Sequence, residues 1–319
     1  MVVVMYEACF GLKENPFTLS PDPRFLYLSP QHREALNCLI YGIHEKKGFM
    51  VVTGGIGTGK TTLCRSLLAG LDGSVATALI FNPALSDIEL LKTINQEFGV
   101  RMGRGRGTKK RYLDALNGFL MQNFAVGRNA VLVIDEAQNL PHSVMEQIRM
   151  LSNLETVREK LIQIILMGQP ELLRLLALPS LRQLNERITV RYDLKPLARD
   201  DVRRYIEHRI ATASGQTNGV FAPGSYGLIY RASRGIPRRI NAICDRALLV
   251  AYGRDLRTVD RRLVRAAIRD IGPGYLTDAG SGGMNRGVFG IIVAALLWTV
   301  LLLAVYGYFA GGVTWPLLG

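Results

Sequence analysis

FMVVTGGIGTGKTTLCRSLLAGL, residues 49–71, decides the fold. Residues 49–53 are apolar and β-rich, as a strand buried on both faces must be. G-x-x-x-x-G-K-T follows, met by Gly54, Gly59, Lys60 and Thr61, and an amphipathic helix-length stretch comes directly after it. Strand, glycine loop and helix in that order make a phosphate cradle. Backbone N–H groups of Gly54, Gly55, Ile56, Gly57, Thr58 and Gly59 close round the phosphate, and the helix N-terminus adds its partial positive charge. The expected ligand is ATP, with Lys60 bridging β- and γ-oxygens, Thr61 ligating Mg²⁺ and Thr62 completing the cradle.

Working outward, short apolar runs alternate with helix-length amphipathic stretches. Residues 49–53, 78–82, 130–135, 161–167 and 189–192 read as strands, and the alternation predicts a parallel sheet covered by helices on both faces. Ser29-Pro30 offers a helix N-cap followed by an N1 proline, and Ser86-Asp87-Ile88-Glu89 fits a capping box. The segment NAVLVIDEAQNL ends a strand on Asp135 and Glu136, at the edge where open α/β sheets bind ligands. Asp135 is expected to hold Mg²⁺ through water, and Glu136 to orient and deprotonate the attacking water.

Three further polar residues fit catalytic roles. Asn82, closing ALIFN, either restrains Glu136 or caps its own loop; Gln169, after IQIILMG, either meets the γ-phosphate or attacking water or satisfies loop backbone. Arg187 precedes the last strand and suits an arginine finger supplied to a neighbouring subunit, with Arg182 and Arg191 as competitors. Beyond Pro196 the strands stop, and helices are expected at 199–213, 223–231, 237–252 and 260–270.

The chain has 319 residues, 48% of them hydrophobic, so it can bury a full core; a disulfide-stapled miniprotein and a disordered basic tail are excluded. Its four cysteines, Cys9, Cys38, Cys64 and Cys244, have no CxxC spacing and support neither a disulfide framework nor a zinc site. The formal charge of +13, from 39 Lys plus Arg against 26 Asp plus Glu, attracts nucleic acid, anionic lipid or phosphorylated ligands. Part of it is concentrated in RMGRGRGTKKRY, residues 101–112, and in RDLRTVDRRLVRAAIRDIG, residues 254–272. Both read first as solvated faces and second as contacts for anionic lipid.

Residues 288–310 form an uncharged apolar run of 23, which at about 1.5 Å per residue covers the roughly 30 Å hydrocarbon core. Tyr306 and Tyr308 sit where an interfacial aromatic belt belongs. Arginines precede the run and none follow it, so the positive-inside rule places the large N-terminal part in the cytoplasm and the tail 311–319 across the membrane. The Gly-rich stretch 272–287 reads as a flexible linker, and MVVVMYEACFGL at the start lacks the basic flank and cleavage site of a signal peptide.

Taken together, YEACFGLKENPFTLSPDPRFLYLSPQHREAL, GGIGTGKTT, VIDEAQNL, ILMGQPEL and RGIPRRIN resemble the AAA+ ATPases, and more narrowly the general secretion pathway protein A (ExeA-like) family. The resemblance implies an α/β P-loop NTPase fold: a parallel sheet sandwiched by helices over 30–194, a helical lid over 195–271 and one transmembrane helix. The segment 1–29 would contribute to the nucleotide pocket, with Phe25, Leu28 and His32 all open as base contacts. By position in Gly-x-Pro-Arg, Arg238 would reach the nucleotide phosphates from the lid, its neighbour Arg239 turning outward. The family also implies a ring-shaped homo-oligomer such as a hexamer, anchored in the bacterial inner membrane. Its partner would be a membrane protein of a secretion or envelope machine, of secretin or exopolysaccharide type. Longer members carry a periplasmic peptidoglycan-binding domain, for which 311–319 is too short. A DNA-binding AAA+ regulator of the transposition-targeting type is the alternative, and a membrane span speaks against it.

Overall fold

The structure is a computed structural model that describes residues 6–19, 22–81, 85–102, 107–156, 159–215 and 219–276. Five parallel strands form one sheet: β1 (Phe49–Gly54), β2 (Val75–Ile80), β3 (Asn129–Ile134), β4 (Gln163–Gly168) and β5 (Ile188–Leu194), in the order β2-β3-β4-β1-β5. The central strands β1 and β4 are buried along their whole length, which is why FMVVTG and QIILMG read as continuous apolar runs. At the edge, β5 alternates buried and exposed positions. The second strand departs from expectation. It starts and ends earlier than the apolar run 78–82, because its pairing with β3 from Val75↔Asn129 to Ile80↔Ile134 sets its length, and Asn82 lies outside the described residues.

Helices cover both faces. On one side α1 (Pro30–His44) and α2 (Lys60–Gly70) bury Ala35, Leu39, Leu63 and Leu67 against Met50, Val52, Val133 and Ile165. On the other, α3 (Asp87–Glu97), α4 (Lys109–Ala125) and α5 (His142–Leu151) pack Leu91, Leu120 and Ile148 against Val51, Leu132 and Leu166. Short helices α6 (Glu171–Leu176) and α7 (Arg182–Glu186) lead from β4 to β5 and add Leu172 and Leu184 to that core. Both expected starts hold: Ser29 Oγ accepts from the His32 N–H, and Ser86 and Glu89 form a reciprocal capping box.

Among the described residues, the elements after β5 are helices: α8 (Arg199–Ser214), α9 (Pro223–Ser233), α10 (Pro237–Tyr252) and α11 (Arg261–Ile271). The N-terminal segment is fastened to them rather than to the sheet. Lys13 N donates to Ala213 O at 2.9 Å, Asn15 Nδ2 to Asp245 Oδ1 at 2.9 Å, and the Arg209 guanidinium to Pro16 O. Phe17, only 2% exposed, meets Phe221 edge-on. A four-residue helix, α12 (Pro273–Leu276), belongs to a separate unit that begins at Pro273. The apolar run 288–310, the tail 311–319 and most of the expected linker lie outside the described residues, among which no helix is long and apolar enough to cross a membrane.

Gly235 closes the turn between α9 and α10 with φ +75°, and its carbonyl accepts from Leu197 N at 2.9 Å. A Cβ there would run into the Leu197 carbonyl, in a backbone region that L-residues avoid. Gly235→Ala is therefore expected to destabilise the protein by about 1–3 kcal/mol. Urea unfolding checks this, and an unchanged midpoint would contradict it.

Candidate functional site

Because β1, β3 and β4 run parallel and in register, their C-terminal ends meet at one edge of the sheet, with Thr53 opposite Gly168 and Ile134 opposite Leu166. The residues that follow these strands, Gly55, Asp135 and Gln169, are delivered there together. Gln169 borders a cavity of ≈ 370 Å³ whose lining also includes Ile56, Gly57, Gly59, Lys60, Thr61, Thr62, Glu136 and Arg238.

The glycine loop is tightly tied. Thr58 Oγ1 donates to Gly55 O at 2.9 Å, and the Lys60 ammonium, 5% exposed, donates to Gly54 O at 2.8 Å and Gly55 O at 3.1 Å. Burial lowers the Lys60 pKa, while the charges of Glu136, Asp135 and Glu171 oppose that shift. An anion at the loop would stabilise the buried ammonium. His32 supports the loop from behind. Its Nε2 lies 3.2 Å from Thr58 O, a carbonyl that can only accept, so Nε2 carries the proton and Nδ1 accepts from Ser29 Oγ at 2.7 Å. Burial pushes the His32 pKa down, in keeping with this neutral ring.

At the other strand ends, Thr61 Oγ1 donates to Asp135 Oδ2 at 2.6 Å, and Asp135 Oδ1 accepts from Glu136 N at 2.9 Å. Glu136 stands in left-handed backbone, φ +54°, and lines the cavity. There Glu136 Oε2 accepts from Gln138 Nε2 at 2.6 Å and from Gln169 Nε2 at 3.3 Å, while Gln138 Oε1 accepts from Gln169 N at 3.0 Å. Gln169 thus touches the carboxylate expected to be catalytic. Gln138 was within the quoted VIDEAQNL but had no role in the reading of the sequence; the spacing of two from Glu136 was the signal.

For a divalent cation, the described residues contain no group of three or more His, Cys, Asp or Glu that would cage it alone. A Thr hydroxyl and a carboxylate touching each other suit Mg²⁺, which keeps waters and takes remaining ligands from phosphates. The donor set fits a nucleotide-borne metal.

The helices after β5 close the cavity. Arg238 N donates to Gly57 O at 3.3 Å, and Gly57 has φ +75° with no room for a Cβ, which would lie 2.7 Å from Arg238 Cβ. Arg238 lines the cavity as expected, but Arg239 does not turn outward: it is 7% exposed, packed within the helical segment on the buried face of α10. On the far wall, Phe25, Leu26 and Tyr27 line the cavity with His32, and Leu28 is not among the lining residues. Sequence reading missed Tyr205, Arg209 and Asn241. The Arg209 guanidinium stacks 4.8 Å from the Phe25 ring centre and donates to Tyr205 Oη at 3.0 Å, and Tyr205 Oη donates to Asn241 Oδ1 at 2.7 Å. These residues sit mid-helix in polar surroundings, where nothing in the pattern separates them from solvated positions.

Arg187 is not brought to this cavity. Its Nη1 donates to Ser152 Oγ at 2.7 Å and Asn153 Oδ1 at 2.6 Å, at the end of α5. Arg182 pairs with Glu186, and Arg191 donates to Asn185.

The AAA domain family model matches residues 43–176, from the end of α1 through α6. General secretion pathway protein A of Aeromonas hydrophila is 46% identical over 250 residues, covering 78% of this chain and 45% of that protein. The chain belongs to the general secretion pathway protein A family of AAA ATPases. It spans less than half the length of this relative. Among solved structures, the ORC2 protein of Aeropyrum pernix aligns with a TM-score of 0.63 at 18% identity, over 82% of this chain and 73% of that one. RuvB of Thermotoga maritima aligns with a TM-score of 0.51 at 17% identity, over 75% and 68%. At these identities the two show the P-loop α/β fold alone.

Burial lowers the pKa of His208, on α8, as well as that of His32. Both folded values lie below the unfolded one near 6.5, so the unfolded chain takes up protons first and stability is lost as pH falls through that value. Between pH 7.5 and pH 5.5, about one unit either side, wild type is expected to lose more stability than His32→Gln/His208→Gln. Equal losses in urea unfolding at the two pH values would refute the assignment.

Proposed function

We propose that this chain binds and hydrolyses Mg²⁺-ATP and converts turnover into work on an inner-membrane machine of secretion or envelope assembly. The observation that carries the hydrolytic reading is Glu136, held by Gln138 and Gln169 beside a Thr61–Asp135 contact at the mouth of the glycine loop. A binding-only site needs no carboxylate fixed at that point.

In this reading Lys60 and the loop N–H groups hold the β- and γ-phosphates, and Thr61 and Asp135 hold the metal side. When bound, Mg²⁺ would supply charge neutralisation on the phosphates. Glu136 takes the proton of the attacking water while Gln138 and Gln169 keep its carboxylate aimed. Arg238 reads the phosphates from α10, so the state of the nucleotide is felt by the helical segment through the backbone contact to Gly57. Arg187, remote from its own cavity, serves a neighbouring subunit of a homo-oligomeric ring.

Membrane anchoring through 288–310, with the ATPase in the cytoplasm, is supported by the apolar run and the arginine asymmetry around it. The secretion setting is supported by the identity with General secretion pathway protein A. The net charge of +13 favours a second reading, a DNA-engaging regulator. Fractionation separates the two: a chain that stays in the supernatant and binds duplex DNA in a salt-sensitive manner supports the second.

Lys60→Ala is expected to abolish ATP turnover, and turnover as fast as wild type would remove the site. Glu136→Gln should keep ATP binding and lose turnover by about 10²–10⁴-fold; lost binding would contradict its role. For Arg187→Ala, turnover should vanish with ATP binding intact, and wild-type specific activity should rise with protein concentration. Activity independent of both removes the trans arginine.

A further inference from the structure

The outer face of α11 is unusual. At about 100° per residue, Arg261, Arg265, Arg269 and Arg262 fall within an arc of roughly 100°, opposite the buried Leu263, Val264 and Ala267. All four arginines are exposed, and none forms an ion pair among the described residues. Nearby acids are committed elsewhere. Asp260 caps α11 by accepting from Arg262 N at 2.8 Å and Leu263 N at 2.9 Å, and Asp270 pairs with Arg246 at 3.1 Å. Arg254 and Arg257, both exposed, lie in the turn before the helix, where Asp255 is the one further acid of 246–276.

Arg261, Arg265 and Arg269 repeat at i, i+4, where like charges weaken a helix. An unsupported stripe of this kind is accounted for by an anionic partner. Guanidinium groups match phosphate oxygens in two-pronged hydrogen bonds, and residues 261–271 carry no aromatic ring on which a base would stack. The apolar run at 288 begins 17 residues after Ile271, so even a fully extended chain keeps α11 within about 60 Å of its start.

We infer that the arginine face of α11 docks on the anionic phospholipid headgroups of the leaflet from which 288–310 enters the membrane. Docking fixes which way the ATPase domain faces the bilayer. The inference rests on reading 288–310 as a span. Each basic residue at such a surface strengthens attachment about fivefold, so four contribute on the order of several hundred-fold, and salt screens the effect.

The test is arginine footprinting with phenylglyoxal on the full chain, reconstituted in vesicles of phosphatidylcholine with and without phosphatidylglycerol and read by mass spectrometry. Modification of Arg261, Arg262, Arg265 and Arg269 should slow by about fivefold or more in anionic vesicles and recover in high salt, with exposed Arg182 unchanged. Equal rates in both vesicles overturn the inference, as does stronger protection of the four by duplex DNA. The variant R261Q/R262Q/R265Q/R269Q should keep its nucleotide affinity and lose the lipid-dependent protection of Arg254 and Arg257. Protection that persists there places the contact elsewhere and overturns it too. Release of the chain from neutral vesicles by carbonate refutes the span, a result read separately from the footprint.

Discussion

Everything at the site depends on three parallel strands ending together. A parallel sheet sends every strand out through the same edge, and the register of β1, β4 and β3, with Thr53 beside Gly168 and Ile134 beside Leu166, ends the three strands within a few residues of one another. The chain must turn sharply there. It does so through a glycine loop after β1, a left-handed Glu136 after β3 and a Gln-Pro step after β4. Each turn leaves polar groups that the sheet no longer satisfies. They satisfy one another: Lys60 with the loop carbonyls, Thr61 with Asp135, Gln138 with Glu136 and with the Gln169 backbone. A strand shifted by one residue would reverse its faces and separate these groups.

The same constraint explains what was legible from the residues alone. Buried parallel strands need unbroken apolar runs, and a phosphate loop needs glycines at fixed spacing, so β1, β3, β4 and the loop stand out in the sequence. The edge strand β2 was read as a strand but at 78–82, since VATALI is only partly buried and its limits come from pairing with β3. Arg239 was misread for a related reason. Adjacent arginines on a helix point about 100° apart, and solvent on one side was assumed, whereas α10 has the cavity on one side and helical packing on the other. Tyr205, Arg209 and Asn241 were illegible because their role depends on a chain segment nearly two hundred residues away, through Pro16 O and Thr18 O.

That long-range fastening changes how the cavity is built. Its phosphate side belongs to the sheet, while the wall formed by Phe25, Leu26 and Tyr27 is carried largely by α8 and α10. Arg209 stacks on Phe25 and donates to Pro16 O and Thr18 O, and Asn241 donates to Thr18 O at 3.3 Å. Tyr27 Oη also donates to Asp201 Oδ1 at 3.0 Å. The N-terminal segment therefore follows the helices, and His32 at the start of α1 is its link to the loop, through Thr58 O. The cavity is thus lined from the sheet side by Lys60, Thr61 and Gln169 and from the helical side by Tyr205, Arg209, Arg238 and Asn241.

The positive charge divides along the same line. Lys60 is buried and paid for by loop carbonyls and nearby carboxylates, and Arg209 is buried over Phe25 and Tyr205. Both charges face only the cavity that they line, so what they attract is confined to that cavity. The α11 arginines are the reverse: exposed, free of ion pairs among the described residues, and opposite the helix's apolar face. A single net figure of +13 mixes the two kinds. The second kind attracts anions within a Debye length of about 8–10 Å, and on α11 it is gathered on one face. Hence the long-range electrostatics of the domain are directional. They are carried by the helical segment that also meets the glycine loop, through Arg238 N and Gly57 O.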